Sequence, residues 1–237
     1  MKKLAIIQSN YIPWKGYFDL IASVDEFILY DDMQFTKNDW RNRNKIRTPK
    51  GLEWMSIPVG QDIRRRIRDV TLPGSGWQEK HWRMIEANYR RAPYFREVAQ
   101  ILEPIYRKHV HTNLSAFNRA LIEQICAYLS IDTRFSYSWD YRLEEGKTER
   151  LVSLCKQTDA TEYVSGPAAQ DYIDRRLFDD AGIKITWFEY GPYAAYKQQW
   201  SGPFEHATSV IDVLFNCGPS SLAYVHKDIA TSSSRTS

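Results

Sequence analysis

Cysteine is scarce in this chain, and its placement argues against disulfide or zinc chemistry. Cys126, Cys155 and Cys217 are the three cysteines among 237 residues, and no two of them form a CxxC pair. An odd number of widely spaced cysteines fits neither a disulfide framework nor a zinc-ligand set. We therefore expect buried free thiols in a reducing compartment, which predicts a cytoplasmic protein.

Long apolar runs and a strong excess of one charge are also missing. The first apolar run, residues 4–7, is too short for the core of a signal peptide, and no stretch approaches the roughly 20 apolar residues of a membrane helix. Lys and Arg number 32 against 29 Asp and Glu, which leaves a formal net charge of +3. A net charge this small does not indicate a protein that binds nucleic acid through its overall charge. We expect neither membrane insertion nor a DNA partner.

Three common ligand-binding and catalytic motifs are absent from the sequence. It holds no GxGxxG, no GxxxxGK[ST] and no GxSxG pattern. The first two absences argue against a standard dinucleotide site or P-loop. Ser165 lacks the glycine that precedes the serine of a nucleophile elbow, so we do not expect it to be a nucleophile. It does lie with Gly166 between a predicted strand and helix, where backbone N–H groups can contact an anion, so Ser165 is a candidate for substrate contact.

Hydrophobic spacing predicts an α/β fold. Strand and turn signals dominate to about residue 73, including a probable strand at 54–59; helical spacing follows to about residue 129, and strands then alternate with helices. Thr112 or Asn113 is the expected N-cap of one helix, and Gly182 the C-cap glycine of another. We predict one domain over residues 1–229, with a three-layer, mostly parallel Rossmann-like sheet and a helical insertion at about 77–130. Residues 230–237 are expected to form a disordered tail.

Polar side chains follow the first predicted strand. Gln8, Asn10 and Tyr11 come directly after it, and Lys15 lies further along the same loop. In open α/β sheets, ligands bind beyond the carboxyl ends of the strands. A turn that caps the next helix would use the same side chains, so both interpretations stay open. We predict that these four residues contact the substrate and that the aromatic residues among them stack on a sugar or base.

The second predicted strand leads to two adjacent acids, Asp31 and Asp32. Neighbouring residues of a strand point to opposite faces, so the two are not expected to act as a simple carboxylate pair. One could be a general base or a magnesium ligand while the other caps a loop, and both could be purely structural. No third carboxylate or histidine follows at a convincing spacing for a metal site. We therefore predict Asp32 as a catalytic base, Asp31 as a substrate contact, and no metal.

Guanidinium and amide side chains alternate in residues 41–47. Planar guanidinium groups bind phosphates bidentately, and amides can recognise hydroxyl groups or base edges. Asn42, Arg43 and Asn44 are thus candidates for binding a diphosphate or nucleotide, although such a run can also be a solvated turn. A second basic run, residues 64–68, is flanked by acids and is expected to be a solvated hairpin.

Two of the five histidines are candidates for function. His81 lies near a predicted helix start, where an imidazole could donate to an anion or exchange a proton. His206 lies in a loop before the last predicted helix. Either could instead be structural. We predict His81 as a second candidate for the catalytic base and His206 as a substrate contact.

Several separated segments resemble one known family, the WbqC-like proteins found among bacterial O-antigen and polysaccharide biosynthesis genes. The resemblance rests on a Gln-(Pro/Ser)-x-Tyr-x-Pro-Trp-x-Gly-Tyr-Phe motif at residues 8–18, Asp-Asp-x-Gln-Phe at 31–35 and Asn-Arg-Asn-Lys-Ile at 42–46. It continues with Tyr-x-Ser-Gly-Pro at 163–167 and a Ser-x-Ile-Asp-x-Leu-Phe-Asn-x-Gly element at 209–218, and so covers the chain to about residue 224. Ser9 and Lys15 depart from the commonest residues. The Asp-Asp-x-Gln motif adds Gln34 as a further candidate contact.

What the resemblance implies is a role in O-antigen, lipopolysaccharide or related polysaccharide biosynthesis, where members have been suggested to be glycine transferases. The expected activity is transfer of an aminoacyl group, glycyl in the simplest case, to a nucleotide-linked amino sugar. The donor stays open between glycine with ATP, a charged tRNA and another activated acyl group. Two other classes stay open as well: a subunit that binds nucleotide sugars without turnover, and a glycosyltransferase or nucleotidyltransferase that holds a metal on Asp31 and Asp32.

Overall fold

The computed structural model describes residues 1–74 and 76–227. Its strands are β1 (Lys3–Ile7), β2 (Glu26–Leu29), β3 (Arg43–Thr48), β4 (Gly51–Ser56), β5 (Arg134–Tyr137), β6 (Glu162–Ser165) and β7 (Lys184–Trp187). Its helices are α1 (Lys15–Ala22), α2 (Gly76–Tyr89), α3 (Phe95–Arg107), α4 (Leu114–Tyr128), α5 (Thr148–Gln157), α6 (Arg175–Asp180), α7 (Ile211–Cys217) and α8 (Leu222–Val225). Short 3-10 turns lie at Ile67–Asp69, Ser138–Asp140, Pro167–Asp171 and Gly218–Ser221. The predicted tail, residues 230–237, lies outside the described residues.

A parallel five-stranded sheet forms the centre of the fold, in the order β5-β2-β1-β6-β7. Strand residues alternate between two apolar layers. Ala5 and Phe27 pack with α1, α2, α3, α4 and α7 on one face, whereas Leu4, Ile28 and Tyr163 pack with α5 and α6 on the other. Full burial of such side chains contributes about 1.5–3 kcal/mol each. The three-layer α/β fold predicted from the sequence is confirmed.

The antiparallel hairpin β3–β4 stands apart from this sheet. The sequence predicts part of β4 as a strand but treats residues 41–47 as a polar run, because the alternating Asn and Arg residues hide the strand. The inserted helices α2, α3 and α4 share one core with the hairpin and with one face of the sheet. Asn113 is the N-cap of α4, accepting the Ala116 N–H at 3.0 Å, and Gly182 follows α6 with φ of 68°, as expected. Within the described ranges, no helix is both long and apolar enough to cross a membrane.

Candidate functional site

The loop between β1 and α1 crosses the carboxyl edge of the sheet and separates two cavities. At this edge β1 and β6 are neighbours, and the chain leaves them toward opposite faces, through α1 on one side and α6 on the other. Such a switch point leaves a crevice in which α/β proteins bind their ligands. Gln8 lines one cavity and Asn10 lines the other.

The first cavity, of about 430 Å³, is the tryptophan cavity, lined by Asn10, Pro13, Trp14, Trp40, Asn44, His206 and Ala207. Trp14 and Trp40 are 37% and 44% exposed, so their rings are available to a ligand. A side chain at position 16 would collide with Trp14, because a Cβ there would lie 2.4 Å from the indole ring. Gly16 is therefore needed for the indole to lie over the start of α1. The cavity combines aromatic faces with two amides and an imidazole.

The segment that carries His206 is fixed against the β1–α1 loop and the hairpin. The Val210 N–H donates to the Pro13 carbonyl at 2.8 Å, and the Ser209 N–H donates to the Lys45 carbonyl at 2.8 Å. The His206 ring packs against Phe204, with ring centres 4.5 Å apart. These contacts position the imidazole at the cavity wall together with the predicted contacts Asn10 and Asn44.

The second cavity, of about 580 Å³, is the tyrosine cavity. Its polar lining consists of Gln8, Tyr30, Lys147, Arg150, Tyr163 and Tyr172. Of these, Gln8 alone is a substrate contact predicted from the sequence. Lys147 and Arg150 surround the start of α5, and Tyr172 follows the 3-10 turn after β6. Two sequence signals could have identified these residues. One is Gly146-Lys147 directly before a helix, and the other is the tyrosines that follow strands, Tyr30 after β2 and Tyr172 beyond β6.

Asp31 is a structural carboxylate of the fold. It is fully buried, its Oδ1 accepts the Ser9 N–H at 2.8 Å, and its Oδ2 accepts a hydrogen bond from the Ser115 hydroxyl. Burial raises the pKa of Asp31, and the hydrogen bonds from Ser115 and Ser9 oppose that rise. Asp31 thus holds the β1–α1 loop to α4. It lines neither cavity, so a ligand in either cavity would not meet Asp31 as the sequence predicted.

Asp32 is held by three donors from other parts of the chain. Its Oδ1 lies 2.8 Å from Arg68 Nη1 and 3.3 Å from Arg66 Nη1, and its Oδ2 accepts from the Ser138 hydroxyl at 2.7 Å. Arg66 and Arg68 belong to the basic run that the sequence suggested to be a solvated hairpin. The Arg66 side chain is 55% exposed, in line with that expectation, whereas Arg68 is partly buried, and both pair with Asp32. A carboxylate engaged in this way would have to exchange contacts before taking a proton. The catalytic role of Asp32 stays a prediction, and in the structure its carboxylate joins the segment of Arg66 and Arg68 to Ser138.

His81 lies in an aromatic cluster rather than in either cavity. Its Nδ1 is 2.8 Å from the Tyr11 hydroxyl and its Nε2 is 3.2 Å from the Ser56 carbonyl oxygen, so Nε2 donates and Nδ1 accepts. Burial lowers the pKa of His81 to about 4, which keeps the ring neutral near pH 7. Tyr11 is also fully buried and bonds the Tyr106 hydroxyl at 2.8 Å. Both residues therefore stabilise the core, and neither is placed to contact a ligand as predicted.

Lys15 is buried beneath the segment that follows β7. Its Nζ has no hydrogen-bond partner in the described part of the chain and lies 5.1, 5.6 and 5.4 Å from the ring centres of Tyr193, Tyr196 and Phe204. Burial lowers the pKa of Lys15 to about 8, and the Asp212 carboxylate opposes that change. The ammonium is surrounded by aromatic rings, and Lys15 lines neither cavity. This position differs from the substrate contact that the sequence predicted for Lys15.

Residues 41–47 use most of their polar groups within the protein. Arg41 bonds the Asn10 side chain and Arg47 donates to the Ser201 carbonyl at 3.1 Å. The Arg43 guanidinium carbon lies 4.1 Å from the centre of the Trp54 ring, a cation–π contact. Asn42 donates to the Ile57 carbonyl at 2.9 Å. Among the predicted phosphate contacts, Asn44 is the one that lines a cavity.

The two remaining candidates, Gln34 and Ser165, also make their contacts within the protein. The Gln34 amide donates to the Ile63 carbonyl at 2.9 Å and joins two loops. Ser165 is buried at the end of β6, where its carbonyl accepts the Phe188 N–H at 2.7 Å. Neither residue lines the two cavities. Over residues 1–74 and 76–227, no group of three or more His, Cys, Asp or Glu side chains is arranged to hold a metal ion.

Comparison with known proteins agrees with the resemblance in the sequence motifs. Residues 8–224 match the WbqC-like protein family. A Mycobacterium tuberculosis protein, named Uncharacterized protein Rv1507c, is 56% identical over 227 residues, which cover 95% of this chain and 98% of that protein. No solved structure matches. The match includes every residue that lines the two cavities except Ile6, and the chain belongs to the WbqC-like protein family.

Proposed function

We propose that this protein is a transferase that moves an aminoacyl group, glycyl in the simplest case, onto the amino group of a nucleotide-linked sugar. The observation that carries the proposal is the tryptophan cavity, where Trp14 and Trp40 meet Asn10, Asn44 and His206. Tryptophan faces stack on the apolar faces of sugar rings, and a few convergent polar groups fix the orientation of a ligand. Membership of the WbqC-like family supports a biosynthetic enzyme.

His206 is the best-placed general base for this reaction. Of the histidines in the described part of the chain, it alone lines the tryptophan cavity or the tyrosine cavity. An amine attacks only when it has lost its ammonium proton, and imidazole is the side chain suited to take a proton near neutral pH. His81 is enclosed by the core, and Asp32 is engaged by Arg66, Arg68 and Ser138.

The proposed reaction uses an activated aminoacyl ester or anhydride as the second substrate. His206 accepts the proton of the sugar ammonium, and the free amine attacks the aminoacyl carbonyl carbon. A C–N bond forms, the C–O bond to the carrier breaks, the imidazolium returns its proton to the departing oxygen, and the second proton of the attacking nitrogen is released to solvent. The product is an amide of the sugar, and no net oxidation or reduction occurs.

Mass spectrometry tests the proposal directly. A nucleotide-linked amino sugar is incubated with the protein and, in turn, glycine with ATP, glycyl-tRNA and a glycyl ester. We expect the sugar nucleotide to gain one glycyl residue with one of these donors, and Trp40→Ala to lose this product. Tight binding of the sugar nucleotide without any product would replace the proposal with a binding subunit, and transfer of the sugar itself would replace it with a glycosyltransferase.

A further inference from the structure

We infer that the tyrosine cavity binds the nucleoside diphosphate part of the substrate, an inference that rests on the proposed function for the identity of the attached sugar. The cavity lies beyond the carboxyl ends of β1, β2 and β6, at the switch point of the sheet. Its volume of about 580 Å³ falls within the range of small-molecule and cofactor sites. The β1–α1 loop separates it from the tryptophan cavity, with Gln8 lining one and Asn10 the other, and we place one elongated substrate across this loop.

The charge of the tyrosine cavity favours an anion. Lys147 and Arg150 line it, and no Asp or Glu does. Across the described ranges, neither cation forms a salt bridge. The Arg150 Nε donates to the Glu144 carbonyl at 2.8 Å, which orients the guanidinium beside the Tyr30 hydroxyl in the cavity.

The carboxylates close to this cavity are directed elsewhere. Asp32, next to the lining residue Met33, pairs with Arg66 and Arg68. Glu144 and Glu149 line a separate cavity on the other side of α5. The first N–H groups of this ten-residue helix add positive potential, which Glu149 in its first turn partly offsets beside Gly146.

Aromatic side chains supply a second part of the nucleotide site. Tyr172 lines the cavity and is 55% exposed; among the described Phe, Tyr and Trp side chains, only Trp14, Trp40 and Trp54 are similarly exposed. Tyr30 and Tyr163 also line the cavity. An exposed tyrosine in the same cavity as two cations fits a base that stacks while its phosphates reach Lys147 and Arg150.

This placement differs from the diphosphate site that the sequence indicated at residues 41–47. There, Arg41 bonds Asn10, Arg43 stacks on Trp54 and Arg47 bonds Ser201. Arg41 and Arg47 would have to share their terminal N–H groups with these partners to bind phosphate, whereas Arg150 would keep its bond to the Glu144 carbonyl. The two candidate phosphate sites can be distinguished by one binding experiment, because each predicts loss of affinity in a different set of variants.

Calorimetry with uridine, guanosine, cytidine and adenosine diphosphates and with inorganic pyrophosphate tests the inference, without any aminoacyl donor. We expect wild type to bind pyrophosphate and at least one nucleoside diphosphate, and Arg150→Met and Lys147→Met each to weaken both by about 10- to 100-fold. Tyr172→Ala should weaken the nucleoside diphosphate and leave pyrophosphate affinity unchanged. Lys156→Met, on α5 but outside the cavity, is the matched control and should bind as wild type does.

Three results would overturn the inference: no binding of any probe by wild type, wild-type affinity in both Arg150→Met and Lys147→Met, or loss of affinity in Arg43→Met instead. Thermal melting of each variant establishes that it is folded, and the exposed Lys147 gives a usable variant if Arg150→Met is unstable. Because binding is measured without turnover, nucleotide binding that persists while no glycyl product forms would count against the proposed function and not against this site.

Discussion

The side-chain amide of Asn44 donates hydrogen bonds to two successive carbonyls of the β1–α1 loop, those of Tyr11 at 3.2 Å and Ile12 at 2.8 Å. Ile12 has φ of 36°, in the left-handed region that β-branched residues rarely adopt. Strain of this kind costs on the order of 1–3 kcal/mol and persists only where the surroundings enforce it. Asn44 on β3 thereby holds the turn that places Pro13 and Trp14 in the tryptophan cavity.

Asn44→Ala should lower the free energy of unfolding by about 1–3 kcal/mol, because two buried carbonyls lose their donor. It should also change the environment of Trp14, because the Ile12 turn can relax. Chemical denaturation and tryptophan fluorescence measure the two effects. The control is Asn88→Ala, which removes an amide that donates to Met84 within α2, far from the cavity in the chain. Equal losses and unchanged fluorescence in both variants would mean that Asn44 does not enforce the turn.

Asp32→Asn should lower stability by about 1–2 kcal/mol, because Arg66 and Arg68 lose the charge that they share. Turnover per folded molecule should stay near the wild-type value, since the proposed base is His206. Asp62→Asn, at an exposed acid 4.0 Å from Arg64, should change neither quantity. A loss of about 100-fold or more in the rate of folded Asp32→Asn would instead identify Asp32 as the base.

Stability should fall as the pH is lowered from about 7 toward 4, because His81 binds a proton more readily in the unfolded chain. Burial lowers the pKa of His81 in the folded protein to about 4, from an ordinary value of 6.5. Between these values the unfolded state holds more protons, so the stabilisation present above pH 6.5 is lost progressively, by up to about 3 kcal/mol.

Denaturation curves of wild type and His81→Gln at several pH values check this effect. The advantage of wild type over His81→Gln should shrink as the pH falls. Tyr11→Phe removes the hydroxyl bonded to His81 Nδ1 but keeps the histidine, so it should retain the wild-type slope. A constant difference between wild type and His81→Gln from pH 7 to 4 would show that His81 does not titrate in this way.

The sequence predicted the layers of the fold well because the apolar strands and helices repeat at regular spacing. The apolar runs 4–7 and 27–30 could be identified as buried strands, and Asn113 and Gly182 as helix ends, because these signals are local. The strand β3 was missed because Arg43, Asn44 and Lys45 lack the hydrophobic pattern of a strand. Its pairing with β4 buries Asn44 and stacks Arg43 on Trp54 instead.

The candidate site could be predicted only in part. The carboxyl edge, Asn10, Asn44 and His206 were identified because polar residues at strand ends and in loops are unusual. The pairing of Asp32 with Arg66 and Arg68, and the enclosure of Lys15 by Tyr193, Tyr196 and Phe204, join residues that are distant in the chain. No local pattern encodes such contacts. Lys147 and Arg150 were passed over for the same reason, because an isolated pair of cations becomes informative only beside a cavity.

The most direct test of the account is the rate of glycyl transfer in His206→Ala, measured per folded molecule with and without added imidazole. If His206 removes the ammonium proton in the tryptophan cavity, kcat should fall on the order of 100- to 10,000-fold while KM for the sugar nucleotide changes little, and imidazole should restore part of the rate. His109→Ala, at an exposed histidine outside both cavities, should be as active as wild type. Near wild-type turnover in folded His206→Ala, with no response to imidazole, would contradict the account.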